Sequence, residues 1–298
     1  MTRATCLDRV QASLALATLS VVLLWSLPVI CARPQTPQTI SVPTKVADVM
    51  LETAQAQVGR ALIQRGFPVG NEFVYDQNGH LVSTGKNAGK SLDWTLAGIT
   101  VESAERHRAD SILLRGLRTA IRYNPDQHIF ERHPIKQEKL EIQVTVTADP
   151  RQFEAALSRI FSIGIDPALE RSMPDLWRHY FLPAEEWPVD SLTGQTIYGA
   201  NSRFPPGIQI PVLESMKAPE STPEARQDQV KGKQELRIVV DANGVPRRIS
   251  VRTPLGYGLD ERCERAVEQY RFRPAMLEGK PVAVEMLLNQ IFDLFKPL

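Results

Sequence analysis

The sequence of 298 residues is short of cysteine, of histidine and of any excess charge, and each shortage removes a class of function. Three cysteines cannot build a disulfide framework or a structural zinc cluster. Lys and Arg total 35 against 34 Asp and Glu, so no basic field is available for wrapping nucleic acid. The five histidines (His80, His107, His128, His133 and His179) are scattered, and His128 and His133 stand too far apart to share one helical face, so no metal site is expected. Catalytic patterns are equally scarce. Glu185 and Glu186 are adjacent and cannot converge on one substrate, and Ser202 and Ser221 lack the setting of an activated nucleophile. Gly85 and Gly89 lie too close together for a phosphate loop around Lys86–Ser91. No enzyme and no cofactor is expected. Internal repeats are also missing.

What is present is an ordinary folded composition, 43% hydrophobic and 23% charged, long enough for two domains at ~150 residues each. The first segment reads as an export signal. Arg3 and Arg9 precede Val10–Ala32, which carries no charge and is rich in Leu, Val and Ala; Pro28 and Ala32 then approach the charged Arg33. Residues 1–32 are therefore a cleaved signal peptide or, since about 20 apolar residues span a bilayer, a retained N-terminal anchor. Either places the rest of the chain in the periplasm, in the second case tied to the inner membrane by residues 10–32. Cleavage would leave Cys263 as the lone cysteine, expected as a buried thiol.

Residues 33–45 are polar and proline-spaced, a tether. Residues 46–182 read as an α+β middle domain of unassigned function. It begins with a helix over 46–65 and continues with an antiparallel meander over 70–147, in which Asn78-Gly79 marks a hairpin between Phe73–Tyr75 and Leu81–Ser83. Trp94–Val101 is expected to be a strand, residues 150–161 a helix, and residues 164–182 short helices broken by proline. Trp94, Trp177 and Trp187 are expected in the core. Of the 22 prolines, seven fall between 183 and 223, which makes 183–221 a proline-rich linker.

Residues 222–298 form the second domain. A short helix from Pro223 leads to a strand through Leu236, Ile238 and Val240, a turn at Asp241–Gly244, and a returning strand through Ile249 and Val251. An amphipathic helix over Leu259–Tyr270 follows, with Leu259, Cys263, Ala266, Val267 and Tyr270 on one stripe. A long last strand over Val282–Phe295 alternates Val282, Val284, Met286 and Leu288 with polar or outward residues. The expected architecture is helices on one face of a three-stranded antiparallel sheet.

Val239-Val240-Asp241, Gly258-Leu259-Asp260, Tyr270-Arg271-Phe272-Arg273-Pro274-Ala275 and Gly279-Lys280-Pro281-Val282, in this order, resemble the C-terminal domain of the TonB family, over about residues 208–296. Tyr270 stands where that family often has Trp, and Thr222 where Tyr usually precedes the first proline. Trp94-Thr95-Leu96, Arg122–Pro125, Phe130–Pro134 and Gly164–Pro167 resemble the front half of TonB-like envelope proteins, a likeness that carries no activity. The resemblance implies an energy transducer that touches a proton-driven inner-membrane motor complex and grips an outer-membrane TonB-dependent receptor; a homodimer is also compatible with it. The grip would be β-strand addition to an exposed sheet edge. The last strand is the expected edge, with Val284, Met286, Leu288, Asn289 and Gln290 as the candidate partner-binding residues. The alternative is a soluble periplasmic binding or scaffold protein that uses the same module without energy coupling.

Overall fold

A computed structural model describes residues 44–85, 93–199 and 203–293. The leader, the tether up to residue 43, the glycine-bearing stretch 86–92 and the end of the expected last strand lie outside the described residues. All described residues belong to one compact unit.

The chain opens with helix α1 (Thr44–Gln55), shorter than the helix expected over 46–65. Gly59 ends the turn that follows, and Ala61–Gln64 becomes strand β1 because its apolar residues pair with a longer neighbour. Strands β2 (Glu72–Tyr75) and β3 (Leu81–Ser83) flank the Asn78-Gly79 turn, as its sequence implies. Trp94–Leu96, expected as strand, is a single 3-10 turn; the strand starts after it, as β4 (Gly98–Arg108). Strands β5 (Ser111–Asn124) and β6 (Ile129–Thr145) form a long antiparallel hairpin. A two-residue strand β7 (Phe161–Ser162) completes a seven-stranded sheet in the order β3-β2-β6-β5-β4-β1-β7. It is not a simple meander. Strand β2 pairs parallel with β6, so the first hairpin is docked on the far side of the last one.

Helices α2 (Pro150–Ile160), α3 (Pro167–Ser172) and α5 (Pro223–Gln227) start the same way. A capping oxygen from Asp149, Asp166 or Thr222 accepts a backbone N–H of the first turn, and the next residue is proline, whose missing N–H costs nothing there. Between α3 and α5 lies α4 (Asp175–Phe181), and the proline-rich segment after it holds β8 (Ile197–Tyr198) and β9 (Val212–Ser215).

The C-terminal part contains β10 (Gly232–Val240), β11 (Pro246–Thr253), helix α6 (Leu259–Val267), β12 (Arg271–Arg273), β13 (Ala275–Leu277) and β14 (Lys280–Phe292). The expected three-stranded sheet is five-stranded, in the order β11-β10-β14-β13 with β8 added against β14. The extra members are two- and three-residue strands whose pairing is set by distant chain, which no local pattern announces.

Two apolar cores hold the unit together. In the first, Met50 and Ala54 of α1 and Phe153, Ala156 and Ile160 of α2 cover Leu62, Ile99, Leu114, Ile142 and Val144 of the seven-stranded sheet. The second draws on both sides of the proline-rich segment: Trp94, Ala120, Ile135 and Trp177 pack with Leu236, Ile238, Val240, Leu259, Cys263 and Phe292. Trp94 sits at its centre, with ring centroids 5.1 Å from Trp177, 5.6 Å from Phe130 and 6.0 Å from Phe181. Trp94 and Trp177 are core residues as expected, whereas Trp187 is half-buried and lies against the His179 ring at 4.1 Å.

Polar groups make the same junction specific. Helix α6 begins at Gly258, which has no side chain to cap it. Residues far upstream supply the cap: Gly258 N–H donates to Thr95 Oγ1 (2.9 Å), and Glu261 N–H points to Asp93 Oδ2 (3.4 Å). A carboxylate there also faces the positive end of the helix. Asp93 in addition accepts from the Thr95 amide and hydroxyl, both at 2.8 Å. In the same first turn, buried Asp260 accepts from Gln234 Nε2 (2.7 Å), Leu255 N–H (3.0 Å) and Gly256 N–H (2.7 Å), which ties α6 to β10 and to its own entry loop.

This junction sets an expected pH dependence. Burial raises the carboxyls of Asp93 and Asp260. Burial, then the charge of Asp93, pushes Glu261 up to about 7 against the pull of Arg265 and Arg262. Burial, then Glu268, Glu261 and Asp175, pushes Glu264 up to about 8. An acid that is weaker in the folded chain than in the unfolded one contributes fully at low pH, and its contribution is lost as pH rises through the folded value. Asp190 works oppositely: paired with Arg248 it is held at about 2, so its contribution is constant at mild pH. The melting temperature should therefore fall between pH 5 and pH 8. Glu264→Gln should flatten the upper part of that fall in a calorimetric pH series; an unchanged slope would assign the effect elsewhere.

Candidate partner-docking edge

The strand expected as the docking edge is present as β14, with a different environment along its two halves. Antiparallel pairing to β10 covers Val284–Phe292 of β14, from Val240 opposite Val284 to Gly232 opposite Phe292. On the other side, β13 takes Lys280–Val282 and β8, running parallel, takes Ala283 and Val284. Among the described residues no strand pairs Met286–Phe292 on that side. Val284 thus has a strand on each side, whereas Met286–Phe292 have β10 alone and form an edge.

Parts of the remaining borders of the C-terminal sheet are covered by this chain. Helix α4 packs along the outer strand β11, where His179 Nδ1 lies 3.4 Å from the Ile249 carbonyl. Burial lowers the His179 pKa, which favours the neutral ring. Gln209 exchanges two backbone bonds with Met276 of β13 (2.8 and 3.0 Å), and β9 pairs with β12. Unpaired strand groups are sticky toward other extended chains, so covering them confines strand addition to what is left. Among the described residues, Met286–Phe292 is an open stretch of the C-terminal sheet.

The candidate residues divide accordingly. Val284 is fully buried and flanked by Val240 on one side and Tyr198 on the other, which removes it from a partner's reach. Met286 and Leu288 are half-buried on the core face, opposite Ile238 and Leu236. Asn289 is exposed, while the Gln290 amide donates to the neighbouring Ile291 carbonyl (3.2 Å). Leu287 and Ile291, which the sequence reading passed over, are exposed apolar side chains on the outer face of the same stretch, Ile291 at 67%. Their signal was present: they occupy the odd positions of the strand, where polar residues were expected. At the head of the open stretch Glu285 lies 3.5 Å from Arg237, and half-burial raises its carboxyl. Lys231 and Asp293 pair at the far end (3.9 Å). Backbone groups flanked by exposed apolar side chains can bind an extended segment through main-chain bonds; they offer no group for bond-making chemistry.

Residues 219–294 match the model of the family described as Gram-negative bacterial TonB protein C-terminal. The chain carries a TonB-family C-terminal domain. The match starts just before α5 and ends just after β14, so the TonB domain contains the open edge and excludes the seven-stranded sheet. Among solved structures, the solution NMR structure of the Pseudomonas aeruginosa TonB C-terminal domain is 19% identical, over 30% of this chain and 90% of that one, with a TM-score of 0.25. No curated protein matches the chain. Cys263, within the TonB domain, is a buried free thiol pushed up to about 12 by burial, as expected of a structural cysteine.

Proposed function

We propose that this chain is a TonB-like docking protein of the cell envelope that holds an extended segment of an outer-membrane TonB-dependent receptor by strand addition to Met286–Phe292. The observation that carries the reading is the open half of β14 in the TonB domain: among the described residues Met286–Phe292 pair with β10 on one side and with no strand on the other. Main-chain bonds would supply the affinity, and Leu287 and Ile291 would select apolar side chains on the outer face of the partner strand. The reading includes no enzymatic activity and no cofactor. If residues 10–32 are retained as an anchor, a proton-driven motor complex in the inner membrane is the second partner. Among the described residues no helix is long and apolar enough to cross a membrane. A homodimer would use the same edge and compete with the receptor.

A periplasmic scaffold without energy coupling is the second reading. It is favoured by the seven-stranded region, which shares a core with the TonB domain where a transducer needs reach. Mass spectrometry of the mature chain separates the two: a start at Arg33 supports the scaffold, and a retained leader supports the transducer.

The docking edge itself is tested by titrating the exported chain with synthetic peptides copied from the N-terminal segments of TonB-dependent receptors. Saturable binding is expected, weakened at least about tenfold by Leu287→Lys with Ile291→Lys, because charges on an edge strand oppose pairing with an apolar segment. Binding unaffected by that pair of changes would move the grip to another surface.

A further inference from the structure

We propose that residues 190–199 are a built-in strap that competes with the partner strand for the head of the β14 edge. The proposal rests on the docking reading above and adds regulation to it.

The strap is anchored firmly at its base. Asp190 is held by Arg248 through two bonds, to Nε at 2.6 Å and to a terminal nitrogen at 2.7 Å. Its Oδ1 also accepts the Leu192 amide at 2.9 Å, closing a tight turn. Leu192 is buried against Val239 and Ala283 on the outer face of the C-terminal sheet, and Ile197 packs beside it. The tip is held lightly. Strand β8 is two residues long, both half-buried, and makes only the rungs opposite Ala283 and Val284. At Gly199 the chain turns away with φ of 87°. A Cβ at that position would stand 2.8 Å from the Glu285 carbonyl oxygen and 2.5 Å from the Phe204 ring, so the strap leaves the edge by close backbone approach.

A backbone edge pairs with one strand at a time. With the strap seated, an incoming strand can occupy Met286–Phe292 and is stopped at Glu285. With the tip lifted, the outer groups of Ala283 and Val284 lose their partner, and the incoming strand regains those bonds by extending over them. Binding that needs the lifted state is weakened by the fraction of chains in which the strap is seated, and loosening the strap removes that penalty.

The test uses the exported chain and the same receptor-derived peptides, with affinity read by fluorescence anisotropy and the footprint by amide hydrogen exchange. Asp190→Asn releases the clamp without touching the core, and Leu192→Ser removes the apolar anchor. Each is expected to tighten binding about fivefold and to spread protection from 286–292 onto 283–285. A disulfide between Ile197→Cys and Ala283→Cys, which are directly opposed, should confine protection to 286–292. Wild-type affinity and footprint in both loosened variants, with 286–292 still protected, would overturn the strap and leave the docking edge standing. No protection of 286–292 in any variant would overturn the docking edge, and the strap with it.

Discussion

Trp94→Ala is expected to remove about 3–5 kcal/mol of stability, the usual cost of deleting a large buried aromatic. Against a typical total of about 5–15 kcal/mol, that is a large fraction of the stability. The side chain is fully buried and has Trp177, Phe130 and Phe181 around it, so little can collapse into the space it leaves. The position also matters through its neighbours. Asp93 and Thr95 are fixed by the same 3-10 turn, and loosening it would uncap α6 of the TonB domain. The loss should therefore appear as one cooperative transition for both regions, seen equally by amide exchange in β6 and in β10. Trp94→Phe separates packing from polar effects. The indole Nε1 has no hydrogen-bond partner, so phenylalanine gives up volume only and should cost less than half as much. Two separate transitions in Trp94→Ala would mean that the shared core does not couple the regions.

Gly256→Ala should be nearly as damaging despite adding one methyl group. Gly256 has φ of 75°, and a Cβ there would lie 1.8 Å from the Ile121 carbonyl oxygen and 2.9 Å from Arg122 Cα. Both obstacles are backbone of β5 and cannot rotate aside. Left-handed strain of about 1–2 kcal/mol adds to overpacking of about 1–3 kcal/mol. The loop must move off β5, breaking the bond from Tyr257 N–H to the Ile121 carbonyl (3.2 Å) and that from Gly256 N–H to Asp260 (2.7 Å). At about 2–4 °C per kcal/mol for a chain of this size, the melting temperature should fall by about 10 °C. Gly66 is the control: its φ is also 75°, but nothing lies within 4 Å, so Gly66→Ala should show the strain alone. Equal losses at the two positions would remove the close approach as the cause.

Much of the architecture is legible where it depends on neighbours in sequence. The Asn78-Gly79 turn, the proline-opened helices after Asp149, Asp166 and Thr222, and the alternation of β14 all appear as read. What escaped depends on distant chain. Ala61–Gln64 has a helical pattern continuous with α1 but becomes a strand because β4 and β7 are there to pair with it. The Asp93-Trp94-Thr95 turn looks local, yet its oxygens serve a helix that starts at Gly258, 163 residues downstream of Thr95. The last strand was found from its alternation. Its division into a covered head and an open tail was not, because Ile197 and Tyr198 carry no sign of the rungs they fill.

The most direct measurement is an amide hydrogen-exchange map of the exported chain with and without a saturating receptor-derived peptide. Strand addition at the open half of β14 predicts new protection at alternating amides within 286–292 and little change in β3, β9 or β11. Protection centred on another strand, or none at 286–292 despite saturable binding, would contradict it.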